Sequence, residues 1–174
     1  MIKAPSVFLC NRVSAHDARK LADWLDNPAV NKFLNEGEDV SSALRDMAHK
    51  NDPLLTYHLN QEGRFYLVRK SEDDPVGFVR LQPNEDEQEH EIVIAIGERS
   101  IWGHGIGTIA LRQILYMAFY EWRTKKIIAK IHHSNHRSIR LFTNAGFVVE
   151  QELPKIRIYS LTSDRYISAA AKRA

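Results

Sequence analysis

Apolar residues in this chain recur at two spacings, and the switch between them divides the sequence into elements. Ser6 to Val13 reads as a first strand, and Ser14 then stands where a helix N-cap belongs, followed by Leu21, Trp24 and Leu25 at helical spacing. Asn27-Pro28 closes that helix. A second helical stretch runs from about Ala29 to Lys50, is broken near Asn35 to Asp39, and ends at Asn51, Asp52 and Pro53. Strand patterns return at Phe65 to Lys70 and Val76 to Gln82, joined by Ser71-Glu72-Asp73-Asp74-Pro75, whose residues suit a hairpin turn. Glu89 to Ile96 completes an antiparallel meander.

The segment Gly103 to Gly107 opens a long helix with Ile106, Ile109, Ala110, Ile114, Met117 and Ala118 on its core stripe, giving way around Thr124 to Lys126. The short apolar strand Ile127 to Ile131 follows a helical crossover, as parallel pairing requires. Asn135 or Ser134 caps one more helix, carrying Ile139 and Phe142 and stopped by Gly146. Phe147 to Glu150 and Lys155 to Leu161 alternate as the last strands around Pro154. This order predicts an α/β fold: a mixed sheet of about seven strands, with an antiparallel N-terminal meander, a central parallel pair and helices on both faces. No repeat, linker or low-complexity tract interrupts residues 1–174, which read as a single domain.

Composition narrows the function classes. At 174 residues, 44% hydrophobic and 26% charged, the chain can bury a core without disulfide or metal staples. Its one cysteine, Cys10, has no internal partner, and no membrane-length apolar run is present, so the cytoplasm is the expected compartment and no membrane is expected as a partner. The net charge of +2 is spread among acids, which does not indicate nucleic acid. Two acidic clusters, Glu36, Glu38 and Asp39, and Glu85, Asp86, Glu87, Glu89 and Glu91, read either as solvated turns or as contacts for a cationic substrate. His104, His132, His133 and His136 lack a carboxylate or thiolate at ligand spacing, and no metal is expected.

Trp102-Gly103-His104-Gly105-Ile106-Gly107-Thr108 lies between a strand and a helix. There the first backbone N–H groups of the helix and about half a positive charge from its dipole favour an anion, and glycines let a phosphate reach the main chain. A tight turn needing glycine for its own geometry is the alternative. The dinucleotide pattern G-x-G-x-x-G fails because Thr108 takes its third glycine position and His132 and His133 end the next strand; a Walker loop fails for want of its lysine.

Trp102 to Gly107 resembles the acetyl-CoA pyrophosphate loop, Gln/Arg-x-x-Gly-x-Gly/Ala, of the GNAT superfamily of N-acetyltransferases, with Trp102 in place of Gln or Arg. That tryptophan is similar to the branch containing ribosomal-protein N-terminal, polyamine and aminoglycoside acetyltransferases. Asn135-x-x-Ser138 with Ala145-Gly146-Phe147, and Trp24 to Val30, resemble other segments of that branch. The resemblance implies acetyl-CoA as co-substrate, bound by Trp102, Gly103, His104, Gly105, Ile106, Gly107, Thr108, Asn135 and Ser138. It also implies that the main chain of Ile94, Ala95 and Ile96 pairs with the pantetheine arm and that one N–H there polarises the thioester carbonyl. A primary amine is the implied acceptor, with its pocket between the Asn35 to Asp39 break and the last two strands. Because such an amine is protonated at neutral pH, a base is needed. Glu91 is the first candidate, ahead of Glu89 and His90, the alternative being a solvent-facing carboxylate or one paired with Arg80. The family's usual leaving-group acid, a tyrosine, falls at Phe142, which has no hydroxyl. Ser138 then matches the serine of the ribosomal-protein branch, with Tyr159 as a substitute. A non-catalytic acetyl-CoA sensor is the competing function, and a homodimer stays open.

Overall fold

A computed structural model describes residues 6–34, 39–86 and 88–172. Among the described residues, seven strands form one sheet in the order β1-β2-β3-β4-β5-β7-β6, and seven α-helices accompany them. The chain divides into two compact units, Met1–Arg80 with Ile94–Ala110, and Leu81–Val93 with Leu111–Ala174.

The first unit begins with β1 (Phe8–Cys10), paired antiparallel with Leu67 to Arg69 of β2 (Arg64–Ser71). β1 is shorter than the strand read at Ser6 to Val13 because Val13 turns its N–H to Thr56 Oγ1 at 3.0 Å and Ser14 already caps α1 (Ala15–Asp26). The cap is reciprocal: Asp17 N–H donates to Ser14 Oγ, and Ser14 N–H donates to Asp17 Oδ2 at 2.8 Å. The same Asp17 oxygen accepts from Arg69 Nη2 at 2.6 Å, an ion pair with side chains only 3% and 7% exposed. Burial works against the charge on Arg69, but the hydrogen bond and charge of Asp17 outweigh it and raise the guanidinium pKa. Asn27 ends α1 and caps the short α2 (Pro28–Asn31). α3 (Asp39–His49) packs on α1, where Arg45 reaches Asp23 and Asp26. The interruption expected at Asn35 to Asp39 lies, up to residue 38, outside the described residues, as does Glu87. A helix absent from the sequence reading, α4 (Leu55–Leu59), follows; it spans five residues and has no side-chain cap. β2 and β3 (Asp74–Pro83) bury Leu67, Val68, Val76 and Val79, with Phe65 stacked on Phe78.

β4 (Glu89–Ile96) is divided between the units. In the second, Glu89 to Glu91 pair in parallel with Lys126 to Ile128 of β5 (Lys126–His132), as the crossover predicts. α5 (Ile106–Tyr116) passes into a π-helical turn, Met117–Glu121, and Arg123 then adopts φ +57°. Ile114, Leu115, Phe119, Ile127, Tyr159 and Leu161 are core. α6 (His136–Asn144) stops at Gly146, whose φ of +101° suits a residue without a β-carbon. β7 (Ile156–Thr162) lies antiparallel between β5 and β6 (Val148–Glu152). The register to β7 slips by one between Val149 and Gln151, a bulge at Glu150. α7 (Ser163–Ala171), also absent from the sequence reading, is capped by Thr162.

Candidate functional site

In the first unit the route from β4 to α5 is specified residue by residue. Gly97 N–H donates to Val76 O at 2.9 Å, which turns the polar groups of Gly97, and by alternation Ala95, toward β3. Gly77 of β3 lies so close to the Ala95 carbonyl that a β-carbon would collide with it. The polar groups of Ile94 and Ile96 therefore face the opposite edge of β4. The indole of Trp24, from α1, lies against Gly97, donates Nε1–H to Glu98 Oε1 at 3.3 Å, and shares that carboxylate with Lys20 at 3.2 Å.

After Glu98 the chain makes a single 3-10 turn, Arg99–Ile101, and Trp102 folds back so that its Nε1–H donates to Ile96 O at 2.7 Å. Arg99 covers the Trp102 ring, its guanidinium carbon 5.5 Å from the centroid. Gly103 and Gly105 take φ +83° and +80°, and a β-carbon on either would meet nothing within 4 Å. Their glycine requirement is conformational, and the space beside them is open to a ligand. His104 N–H donates to Ile101 O, and the first helical bond of α5 runs from Ile109 N–H to Gly105 O. The N–H groups of Ile106, Gly107 and Thr108 precede that bond and have no carbonyl within their own helix. Ile106 itself is buried and anchors the turn.

In the second unit Glu91 lies on one face of β4 with Glu89. Glu91 Oε2 is 2.6 Å from Lys130 Nζ, and Glu89 Oε2 is 2.6 Å from Lys126 Nζ. Lys126 also holds Glu150 at 3.0 Å, and this double pairing, Glu89 first, raises its pKa. A hydrogen bond from Ser160, then Lys126, lowers that of Glu150. Sequence reading did not single out Lys130 or Lys126 as site residues; the available signal was two lysines on one face of β5 and two glutamates on one face of its neighbour β4.

Asn135 is the N-cap of α6, its Oδ1 accepting from Ser138 N–H at 3.3 Å, so both residues sit together in the first turn and are half-buried. Phe142 is buried and meets Phe147 edge to face, 5.0 Å between centroids. Tyr159 is also buried, between Ala129 and Val149 in the sheet, with Arg157 hydrogen-bonded beside it. His132 Nδ1 lies 2.8 Å from Ser134 Oγ and His133 Nε2 2.8 Å from Leu153 O. No helix among the described residues is long and apolar enough to cross a membrane.

The sequence profile of the acetyltransferase (GNAT) domain matches residues 9–148. The chain belongs to that family. As a GNAT protein it is an N-acetyltransferase. The N-acetyltransferase p20 of Bacillus licheniformis, itself uncharacterised, is 29% identical over 143 residues, 80% of this chain and 78% of that one. Among solved structures, mutant forms of the spermidine/spermine N-acetyltransferase SpeG from Vibrio cholerae superpose with a TM-score of 0.75 at 17% identity, covering 94% of this chain and 98% of that one. The aminoglycoside acetyltransferase AAC(6')-Ib in complex with coenzyme A gives 0.76 at 19% identity, covering 95% and 99%. At those identities the structures establish the GNAT fold of this acetyltransferase, with its seven-stranded mixed sheet.

Proposed function

We propose that this GNAT enzyme, acting as one catalytic domain, transfers an acetyl group from acetyl-CoA to a primary amine of a small molecule or protein N-terminus. The observation that carries the reading is the turn before α5, where two glycines at positive φ leave open space beside the first N–H groups of the helix, which have no carbonyl within it. The diphosphate would bind the main chain from Gly103 to Thr108. The pantetheine arm would pair along the edge of β4 that carries the polar groups of Ile94 and the N–H of Ile96. By the family resemblance, Asn135 and Ser138, in the first turn of α6, are the candidate side-chain contacts of the cofactor in the second unit.

In the proposed reaction the amine nitrogen attacks the thioester carbonyl carbon, the C–S bond breaks, and the sulfur leaves as thiolate. An N–H of the β4 edge stabilises the charge that gathers on the carbonyl oxygen. Glu91, its carboxylate oriented by Lys130, takes the amine proton through water. Ser138 is the candidate donor to the departing thiolate. Burial argues against Tyr159 in that role, and Phe142 has no proton to give. The neighbours named for spermidine/spermine and for aminoglycosides make small basic amines the first acceptors to test.

Calorimetric titration with acetyl-CoA and thiol release with a panel of amines test the reading. Gly105→Glu should weaken acetyl-CoA binding at least about a hundredfold, roughly 2.8 kcal/mol, because it places a carboxylate in the proposed diphosphate site. Unchanged affinity in that variant refutes the site. Binding without turnover on every acceptor would favour a sensor.

A further inference from the structure

The two parts of the proposed cofactor site that lie in the first unit are the edge of β4 and the glycine turn, and one side chain of this chain ties them together. Trp102 Nε1–H donates to Ile96 O at 2.7 Å, so the loop that follows β4 closes back on the last residue of the strand it leaves. The carbonyl it takes belongs to the β4 edge turned away from β3, since Gly97 N–H is committed to Val76 O. The Trp24 ring presses on Gly97, and its own N–H holds Glu98. Arg99 lies over the Trp102 ring. Of the two indoles at this turn, Trp102 is the one whose donor reaches the strand.

Resting on the acetyl-CoA reading above, we infer that Trp102 is a positioning residue: its indole N–H fixes the separation of the diphosphate-binding turn from the pantetheine-pairing edge of β4. Two consequences follow from the geometry. The Ile96 carbonyl already has a donor within the protein, which directs pantetheine pairing to the Ile96 N–H and to Ile94. And only a donor that spans both parts of the site senses their separation, whereas a short thioester that touches β4 alone does not.

The experiment compares acetyl-CoA with acetyl-pantetheine, which lacks the diphosphate, in wild type and Trp102→Phe. Phenylalanine keeps an aromatic ring under Arg99 and removes the N–H. The expected result is a rise of about fivefold to tenfold in KM for acetyl-CoA, the scale of one lost hydrogen bond, with kcat within about twofold and a KM change for acetyl-pantetheine of no more than about twofold, since the freed Ile96 carbonyl perturbs β4 only locally. Unchanged KM for acetyl-CoA overturns the inference, and so does an equal loss with both donors, which would mean general damage to β4. Should Trp102→Phe fail to fold, wild-type protein labelled with indole nitrogen-15 carries the test. There the Trp102 Nε1 proton should exchange at least about tenfold more slowly than that of free tryptophan, and exchange at the free rate overturns the inference. Failure of wild type to bind acetyl-CoA would instead sink the proposed function itself.

Discussion

Replacing Gly97 by alanine probes how the first unit holds its proposed cofactor turn. Gly97 has an ordinary negative-side backbone, so the added methyl creates no conformational strain of its own. Its whole cost is steric. The new β-carbon would fall inside van der Waals contact of Cγ, Cδ2 and Cε2 of Trp24, the body of a ring that is 5% exposed. That ring is held by its hydrogen bond to Glu98, and Lys20 sits over it, 5.8 Å from Nζ to the ring centroid. Overpacking costs about 1–3 kcal/mol when neighbours can give. A clash with three atoms of a fixed indole belongs at the upper end, about 3 kcal/mol, or about 6–12 °C in melting temperature for a chain of this size. Thermal and urea unfolding of Gly97→Ala, Trp24→Leu and the double variant measure it. The double variant should be more stable than the sum of the single losses predicts, by about 2–3 kcal/mol, because leucine vacates the space the methyl needs. A Gly97→Ala protein melting within about 1 °C of wild type, about 0.5 kcal/mol or less, refutes the reasoning, as do strictly additive losses.

Asp17→Asn should cost about 3 kcal/mol in urea unfolding, because it leaves the buried Arg69 guanidinium without its counter-charge while preserving an N-terminal cap; a loss under about 1 kcal/mol would show the pair contributes little. Glu150, whose pKa is lowered in the folded state, contributes stability that is complete above its unfolded value near 4.5 and fades as pH falls through the lower folded value. Glu150→Gln should therefore be less stable than wild type at pH 7 and lose less on acidification below about pH 4.5; parallel stability curves would contradict this. Glu91→Gln should lower kcat about a hundredfold and leave the Kd of acetyl-CoA unchanged, and a kcat within about threefold of wild type removes Glu91 from the base role.

The sequence displayed most of this fold because the decisive elements are periodic or punctuated. The strand read at Glu89 to Ile96 matches β4 residue for residue, and Ser14, Asn135 and Gly146 mark helix ends with side-chain or backbone chemistry that is local in the chain. What escaped lacked such local signals. α4 has one buried apolar residue, Leu55, and no cap. α7 begins where β7 stops, and beyond the strand read to Leu161 no element was assigned, although Thr162 and Asp164 do form an N-terminal signature. The π-helical turn after Tyr116 leaves the apolar pattern helical and was invisible to it. At the candidate site the glycine turn was legible from Gly103 and Gly105. Its attachment was not, because Trp102 reaching Ile96, Trp24 covering Gly97 and Lys130 holding Glu91 are tertiary contacts that spacing does not encode.

The extra residue at Glu150 has a consequence for how this protein behaves in a crowded solution. β6 closes one end of the sheet, is exposed throughout, and begins with two valines, a combination that invites a foreign strand to add itself. The slipped register bends and twists that border so that no straight strand can follow it for long, and Glu150 and Glu152 are tethered to Lys126 and Arg157 across it. At the opposite border β1 offers three residues, too few to template growth. Both rims of the sheet are thereby made poor seeds for fibrils, and deleting Glu150 should straighten one of them.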